Sequence, residues 1–381
     1  MVQMPRSGQY VEQLEGYKAF VPSPLPPVPE VLMDAEMWNL LSQADRALGR
    51  LDGATDALPN PDLFVFMYVR KEAVLSSQIE GTQASLMDVL EFESQTLTPD
   101  NPQDVEEVVN YIAAINHGLE RLKTLPTSLR LIKEIHQELM KGVRGSERNP
   151  GEFRRSQNWI GPGGCSLADA TYVPPPPHEM LKCLGDLERF LHDSQPMPIL
   201  IKVGLAHAQF ETIHPFLDGN GRTGRLLITF LLCEQNILKR PLLYLSHYFK
   251  RYRSEYYDRL QAVREGDWEG WLKFFLKGVY EVAQEAATTA RQIVNLKEEH
   301  RQLILSELGR KSGNTIALLE SLYFKPIFTV EHVETITNLS YSNANSLIKK
   351  LIELGILREI TGQKRNRAFS YAPYLDIFGD F

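Results

Sequence analysis

Apolar residues recur every three or four positions along most of this chain, which is the spacing of amphipathic helices. Between residues 33 and 52, for example, Leu40, Leu41, Ala44 and Leu48 fall on one side of a helix. The same spacing predicts further helices over residues 62–79, 84–95, 103–122, 128–143, 178–193 and 268–308. We therefore expect a mainly α-helical fold.

Two segments depart from helical spacing. Residues 1–31 become rich in proline towards their end, which predicts an extended arm on the surface. Residues 153–173 predict two short strands joined by a loop, and so a small β-hairpin.

Beyond residue 308 the pattern predicts three short helices followed by a β-hairpin, an order that resembles a winged helix. We therefore predict three domains, over residues 1–100, 101–300 and 301–381. A winged helix can place its third helix in the DNA major groove and its wing on phosphates. The net charge of −7 argues against DNA as a partner, and winged helices also bind proteins. The DNA-facing residues would be Asn343, Asn345, Ser346, Lys364, Arg365 and Arg367.

One stretch, His207–Arg225, concentrates residues that can carry chemistry. It begins as a helix, but Pro215 cannot continue that helix and biases His214 away from helical geometry. His214 is therefore expected at or just beyond the helix end. Gly219 and Gly221 then form a turn that leads into a second, almost wholly apolar helix. Such a turn binds anions through its backbone N–H groups and the helix dipole.

Four side chains around this turn suit phosphate chemistry. Arg222 and Arg225 lie three residues apart, so both guanidinium groups can face one anion. The carboxylate of Asp218 could hold a Mg²⁺ ion that bridges phosphates. His214 could act as a general base near neutral pH. Taken singly, a His before a Pro is an ordinary helix-end residue and a GxG sequence is an ordinary turn, but the combination favours a catalytic site.

Together these residues read HPFxDGNGRxxR, which resembles the signature of the Fic family. The resemblance implies a protein adenylyltransferase that transfers AMP from ATP to a Ser, Thr or Tyr hydroxyl of a target protein, and of the enzyme itself. It implies His214 as the catalytic base, Asp218 as the Mg²⁺ ligand and a Fic-type helical domain. The nucleotide-binding residues that it implies here are Asp218, Gly219, Asn220, Gly221, Arg222 and Arg225.

An inhibitory motif of the form S/T-x-x-x-E-G/N is matched by Ser76, Glu80 and Gly81 at the end of the predicted helix 62–79. In the family the Glu pairs with the second Arg of the signature, here Arg225, and occupies the place of the γ-phosphate. The resemblance therefore implies that Glu80 keeps ATP in an unproductive position.

The predicted hairpin corresponds to a flap that, in the family, aligns the target segment by β-augmentation. Its nucleotide-facing tip would comprise Asn158, Trp159, Ile160 and Gly161.

Tyr256 and Tyr257 match a tyrosine pair that lines the adenine pocket in the family, although aromatic residues at this spacing are also typical of a core. The chain departs from the family at Arg264, where Asn is frequent, which puts the adenine contact in doubt. His207 and Arg154 are interpreted as structural.

Three alternatives remain open. The same site can remove AMP from a modified target, with Glu80 positioning a water molecule. A branch of the family transfers the γ-phosphate, but it usually carries Lys where this chain has Gly219. Finally, the protein could be a transcriptional regulator that only senses nucleotide.

Composition bears on the cellular compartment. Cys165, Cys183 and Cys233 have no CxxC spacing, which favours a reducing compartment over a disulfide framework or zinc site. The first residues lack an apolar signal segment, so a cytoplasmic location is expected. Long helices and an inhibited site are compatible with a homodimer.

Overall fold

A computed structural model of the protein describes residues 5–56, 60–95, 101–309, 312–362 and 367–379. The described part is mainly helical, as predicted. Its α-helices are α1 (Ala35–Asp56), α2 (Pro61–Ile79), α3 (Leu86–Ser94), α4 (Pro102–Arg121), α5 (Leu129–Leu139), α6 (Pro177–His192), α7 (Ile199–Ile213), α8 (Asn220–Glu234), α9 (Ser246–Arg251), α10 (Arg253–Arg264), α11 (Trp268–Leu308), α12 (Ser312–Leu322), α13 (Val330–Thr337), α14 (Tyr341–Glu353) and α15 (Ala372–Asp376).

Short antiparallel strands lie near the two ends of the chain. Strands β1 (Gly8–Glu12) and β2 (Lys18–Pro22) form an N-terminal hairpin, so the predicted extended arm is wrong for this part of residues 1–31. Near the other end, strands β3, β4 and β5 form a sheet in the order β3–β5–β4. Their bounds are β3 (Ile327–Thr329), β4 (Arg358–Glu359) and β5 (Ala368–Ser370).

The core is built around α7 and α8, the two helices of the signature stretch. Every residue of α7 from Val203 to Ile213 is buried, and α8 is buried from Arg222 to Leu232. Their apolar surfaces pack against one another and are enclosed by helices on all sides, among them α4, α5, α6, α10 and α11. The loop between them is thus held between two buried, closely packed helices. None of the described helices is both long and apolar enough to cross a membrane.

Two predicted segments differ from the structure. The flap contains one antiparallel bridge, between Ile160 and Tyr172, with a short 3₁₀ turn at Leu167–Asp169, where two strands were expected. Helix α8 begins at Asn220, inside the predicted Gly219–Gly221 turn, because Gly219 adopts a left-handed conformation (φ +73°) and turns the chain directly into the helix.

The C-terminal region contains the three predicted helices, α12, α13 and α14, and the two strands that follow them. An additional strand, β3, lies between α12 and α13 and pairs with β5. The division of the chain at residue 300 stays a prediction, and α11 runs across that position.

Candidate active site

His214 ends α7. Its backbone N–H donates to the carbonyl of Phe210 at 2.9 Å, and its φ of +49° places it in the left-handed region. Non-glycine residues in this region carry strain of about 1–3 kcal/mol and are common at functional sites. The imidazole is therefore presented by a strained helix end, as predicted from Pro215.

The loop from His214 to Gly221, which we call the signature loop, is closed by amide side chains. Asn220 accepts a hydrogen bond from Phe216 N and donates one to Phe216 O, each at 2.8 Å. Asn158 donates to Phe216 O at 2.8 Å and to His214 O at 3.2 Å. In this structure the amides of Asn158 and Asn220 thus shape the loop, although both were predicted to contact nucleotide.

Two residues outside the predicted site support the same loop. The guanidinium of Arg154 donates to His214 O at 3.0 Å, which confirms its structural interpretation. His136 stacks on the ring of Phe216, with centroids 3.7 Å apart, and lies 3.0 Å from Asp218 O through Nε2. Since its Nδ1 accepts from Gly151 N, Nε2 carries the proton and donates to Asp218. Sequence reasoning missed His136 because a single His on an amphipathic helix carries no distinguishing signal.

Glu80 reaches the first turn of α8 from the end of α2. Its Oε1 lies 2.7 Å from a guanidinium nitrogen of Arg225 and against the backbone of Gly221, where a methyl group would collide with the carboxylate. Arg225 also donates to Oγ and to the carbonyl of Ser76, at 2.8 and 2.9 Å. Glu80 caps α2, and Gly81, with φ of +105°, turns the chain away from the helix immediately afterwards. The structure thus brings together Ser76, Glu80 and Arg225.

The Glu80 carboxylate is ionised in this position. Burial alone would raise its pKa, but the charge of Arg225 and the hydrogen bond from it outweigh burial and hold the pKa below its usual value. A carboxylate therefore fills the anion site that the sequence predicts at the start of α8.

Arg222 points elsewhere. It pairs with Glu107 of α4 at 3.1 Å, and both side chains are almost completely buried. A second guanidinium nitrogen lies 3.5 Å from the sulfur of Met140. Arg222 and Arg225 thus each face their own carboxylate in this structure, rather than one shared anion.

Asp218 is the exposed acid of the signature loop. One carboxylate oxygen accepts from Gly219 N at 2.7 Å, and the other lies 3.3 Å from Arg148, with about a third of the side chain exposed. The described residues contain no cluster of three or more His, Cys, Asp or Glu side chains that could enclose a metal. Because Mg²⁺ is commonly held by one or two carboxylates together with phosphates and water, a single exposed Asp fits such an ion.

The imidazole of His214 is half-buried. Burial, together with the positive charges of Arg154 and Arg264, lowers the pKa of His214 to about 4 against the opposing effect of Glu80. His214 Nδ1 is buried and makes no hydrogen bond within the described part of the chain. The side chain is therefore neutral at physiological pH and can accept a proton.

The two tyrosines of α10 have different environments. Tyr256 is buried and donates through its hydroxyl to His207 Nε2 at 2.9 Å, while Tyr257 is 42% exposed. His207 in turn donates from Nδ1 to Gly224 O at 2.9 Å, which confirms its structural interpretation. Of the predicted pair, only Tyr257 presents an accessible ring. Tyr256 instead supports α8 through His207, which is bonded to the carbonyl of Gly224.

The flap tip lies beside the signature loop. Beyond Asn158, the side chains of Trp159 and Ile160 are 41% and 37% exposed. The backbone N–H and C=O of Trp159 form no hydrogen bond with any described residue, so this edge of the flap is free. Gly161 packs closely against Cys165.

Sequence reasoning also missed a buried acid of α7, Glu211. Glu211 is 7% exposed and packs against Gly224, and its Oε1 makes no hydrogen bond among the described residues. Burial raises its pKa to about 7. Its place three residues before His214 gave no sign of this, since an acid on a helix is usually solvated.

Comparison with known proteins identifies this arrangement. A family model described as Fic/DOC family N-terminal matches residues 38–120, and one described as Fic/DOC family matches residues 126–232. Protein adenylyltransferase Fic of Aedes aegypti is 31% identical over 249 residues, which cover 64% of this chain and 46% of that protein. The protein of the same name in Drosophila ananassae is 33% identical over 156 residues, covering 40% and 28%. The chain thus spans less than half of the length of these relatives.

Solved structures agree in fold. A Fic family protein from Desulfovibrio desulfuricans superposes with a TM-score of 0.60 at 19% identity, over 90% of this chain and 97% of that one. A Fic domain containing signaling protein from Bacteroides thetaiotaomicron gives a TM-score of 0.51 at 17% identity, over 66% and 95%. From the signature loop, the two matched family models and the shared fold, we conclude that this chain is a member of the Fic family.

Proposed function

We propose that the protein is an adenylyltransferase that transfers AMP from ATP to a Ser, Thr or Tyr hydroxyl of a target protein. The observation that carries the proposal is the signature loop, which presents the neutral imidazole of His214 at one end and an anion site at the start of α8, now filled by Glu80, at the other. His214 closes α7 and Asn220 begins α8, so the short loop itself keeps the base and the anion site together. The adenylyltransferase names of the insect relatives support the same reaction.

The chain's own residues account for each requirement of that reaction. His214 would take the proton of the target hydroxyl while its oxygen attacks the α-phosphorus of ATP. The bond from the α-phosphorus to the bridging oxygen then breaks, and pyrophosphate leaves with the electron pair. Backbone N–H groups at the start of α8 and the guanidinium of Arg225 would stabilise the phosphates. Asp218 would hold a Mg²⁺ ion, which supplies charge neutralisation on the phosphates when it is bound.

Glu80 would restrain this activity. Its carboxylate accepts a hydrogen bond from the guanidinium of Arg225 and packs against Gly221, in the place that a phosphate of ATP would otherwise take. ATP can therefore bind in its productive position only after Glu80 has moved.

The free edge of the flap would receive the target. The unpaired backbone of Trp159 offers one donor and one acceptor to an extended segment, as in β-augmentation. A target hydroxyl on that segment would then be delivered to His214, whose carbonyl is bonded to the neighbouring Asn158.

We keep DNA binding as the less favoured role of the C-terminal region. Lys364 and Arg365 lie outside the described residues. Arg367 is paired with Glu359 at 2.5 Å, and Lys350 of α14 is paired with Glu307 at 3.5 Å. The positive charges of Arg367 and Lys350 are therefore partly neutralised.

The free thiols of Cys165, Cys183 and Cys233 support the cytoplasm as location. A homodimer stays a prediction.

The proposal is tested by incubating the protein and its Glu80→Gly variant with α-labelled ATP, Mg²⁺ and a cell extract. Label on proteins, identified by mass spectrometry as AMP on a hydroxyl, is the expected result. The double variant Glu80→Gly/His214→Ala is the matched control. Label that also appears with the control would exclude His214 as the base, and absence of label from every lane, together with loss of AMP from a pre-modified extract, would favour the reverse reaction.

A further inference from the structure

A backbone hydrogen bond joins the N-terminal hairpin to the flap. Phe20 N, on β2, donates to Val173 O at 2.9 Å. The neighbouring Tyr172 exchanges two hydrogen bonds with Ile160, at 2.8 and 3.0 Å. The bridge of the flap, between Ile160 and Tyr172, is thus joined to β2 through the neighbouring Val173. Because an isolated pair of strands is marginally stable, the bond to β2 supports the flap.

Tyr172 is the side chain on which this arrangement converges. It is 2% exposed, contacts the ring of Phe20 at a centroid distance of 6.3 Å and lies 3.4 Å below the guanidinium carbon of Arg264. Its hydroxyl donates to Thr212 O, in the last turn of α7, at 2.5 Å. A displacement of Phe20 would therefore be transmitted through Tyr172 to the base of the flap.

A second connection reaches the flap from the hairpin turn. The hydroxyl of Tyr17 donates to Oε1 of Gln157 at 3.3 Å. Gln157 is itself fixed by a hydrogen bond from Nε2 to Pro174 O at 2.9 Å. Since Gln157 precedes Asn158 and Trp159, this contact restrains the free edge directly.

The hairpin is fastened to the helical core independently of the flap. Arg6 forms a bidentate ion pair with Glu269 of α11, at 2.6 and 2.8 Å. On the other side, Nε2 of Gln209 in α7 donates to Ser23 O at 2.9 Å. The hairpin thus connects two catalytic-domain helices to the flap as a fixed brace.

We propose that Tyr17 and Phe20 are positioning residues, through which the N-terminal hairpin holds the free edge of the flap ready for the extended acceptor segment of the target. The inference rests on the proposed function in one respect, that the flap receives the target. Residues 8–22 make no hydrogen bond to the described signature loop, so ATP binding should not depend on the brace. If the brace is loosened, the flap must become ordered when the target binds. The entropy lost in that ordering makes binding less favourable, which raises KM for the acceptor.

The first test measures the flap itself. Hydrogen exchange of the full-length protein is followed by mass spectrometry on peptides that contain Ile160 and Tyr172. Phe20→Ala is expected to speed exchange of these amides roughly tenfold or more, and Tyr17→Phe by a smaller factor. Leu14→Ala, at the fully exposed hairpin tip, is the matched control and should leave exchange unchanged. Flap amides that stay protected in Phe20→Ala, while those of the hairpin itself exchange, would overturn the proposal.

The second test compares the effect of the brace on KM for the acceptor protein with its effect on KM for ATP. In the Glu80→Gly background, AMP transfer is measured with a catalytically inactive copy of this chain, His214→Ala, as the acceptor protein. Tyr17→Phe and Phe20→Ala are expected to raise KM for the acceptor by roughly tenfold and to leave KM for ATP within about twofold. An equal rise in both constants would show general loosening of the fold and overturn a positioning role.

Failure of the proposed function would be seen separately. If the Glu80→Gly parent transfers no AMP to any acceptor, the adenylyltransferase assignment fails, and the exchange experiment alone then decides whether the brace exists. Because Tyr17→Phe removes only one hydroxyl, it gives a result even if Phe20→Ala does not fold.

Discussion

The carboxylate of Glu80 and the guanidinium of Arg225 are joined across 2.7 Å, between residues 145 positions apart in the chain. The contact fastens the end of α2 to the start of α8. Ser76, also on α2, accepts a hydrogen bond from the same guanidinium. One ion pair therefore holds two helices together and fills the anion site between them.

Removal of Glu80 should release the activity. In Glu80→Gly, Arg225 and the backbone at Gly221 become free for phosphate, and we expect AMP incorporation to rise by roughly 10- to 100-fold, the usual range of such couplings. The measurement is the initial rate of transfer from α-labelled ATP. Glu93→Gly is the control, since it breaks a comparable ion pair to α2, with Arg70 at 2.7 Å, away from the site. Equal rates for Glu80→Gly and the unaltered protein would contradict the inhibitory role.

Removal of the imidazole should abolish transfer without loss of the nucleotide site. His214→Ala in the Glu80→Gly background is expected to lower kcat by at least roughly a hundredfold, the usual contribution of a general base. ATP affinity, measured by calorimetry, should stay within about twofold, because the phosphate donors lie on α8 and Arg225. His178→Ala, on the exposed first turn of α6, serves as the control. A rate that survives in His214→Ala would show that another group takes the proton.

The sequence predicted most of the helices and the position of His214, because Pro215 and the glycines act locally on the backbone. It did not predict the partner of Arg222, since Glu107 lies 115 residues away and only the packing of α4 on α8 brings the two together. The N-terminal hairpin was missed for a related reason. Its second strand pairs with β1 and donates one hydrogen bond to residue 173 of the flap, a tertiary contact that proline-rich composition conceals.

The low pKa of His214 should be visible in the pH dependence of activity. A base must be unprotonated, and a His with the ordinary pKa of about 6.5 is only about one-tenth unprotonated at pH 5.5. Because burial, Arg154 and Arg264 lower the pKa of His214 to about 4, the imidazole stays unprotonated there. We therefore expect kcat/KM of the Glu80→Gly enzyme to differ by less than about twofold between pH 7.5 and pH 5.5.

Loss of Glu80 strengthens this expectation, since the Glu80 carboxylate is the charge that raises the pKa of His214. Glu211 and Glu72 also titrate in this range, because burial raises the pKa of each to about 7. The Glu211→Gln and Glu72→Gln variants, measured in parallel, each remove one of these ionisations. A tenfold decline at pH 5.5 that persists in both variants would mean that His214 has an ordinary pKa.

Substitutions in the buried pair of Arg222 and Glu107 should show whether Arg222 contributes to stability alone or also to nucleotide binding. Glu107→Ala leaves a buried guanidinium without its carboxylate, which should cost about 3 kcal/mol of unfolding free energy. Glu106→Ala, at the exposed neighbouring position, should change it by less than about 0.5 kcal/mol. Replacing both members of the pair by Met should restore much of the stability, because no buried charge then lacks a partner. If Arg222 also binds phosphate, the double Met variant will regain its denaturation midpoint but will still transfer AMP slowly in the Glu80→Gly background. Transfer at the rate of the Glu80→Gly parent would show that Arg222 has a structural role alone.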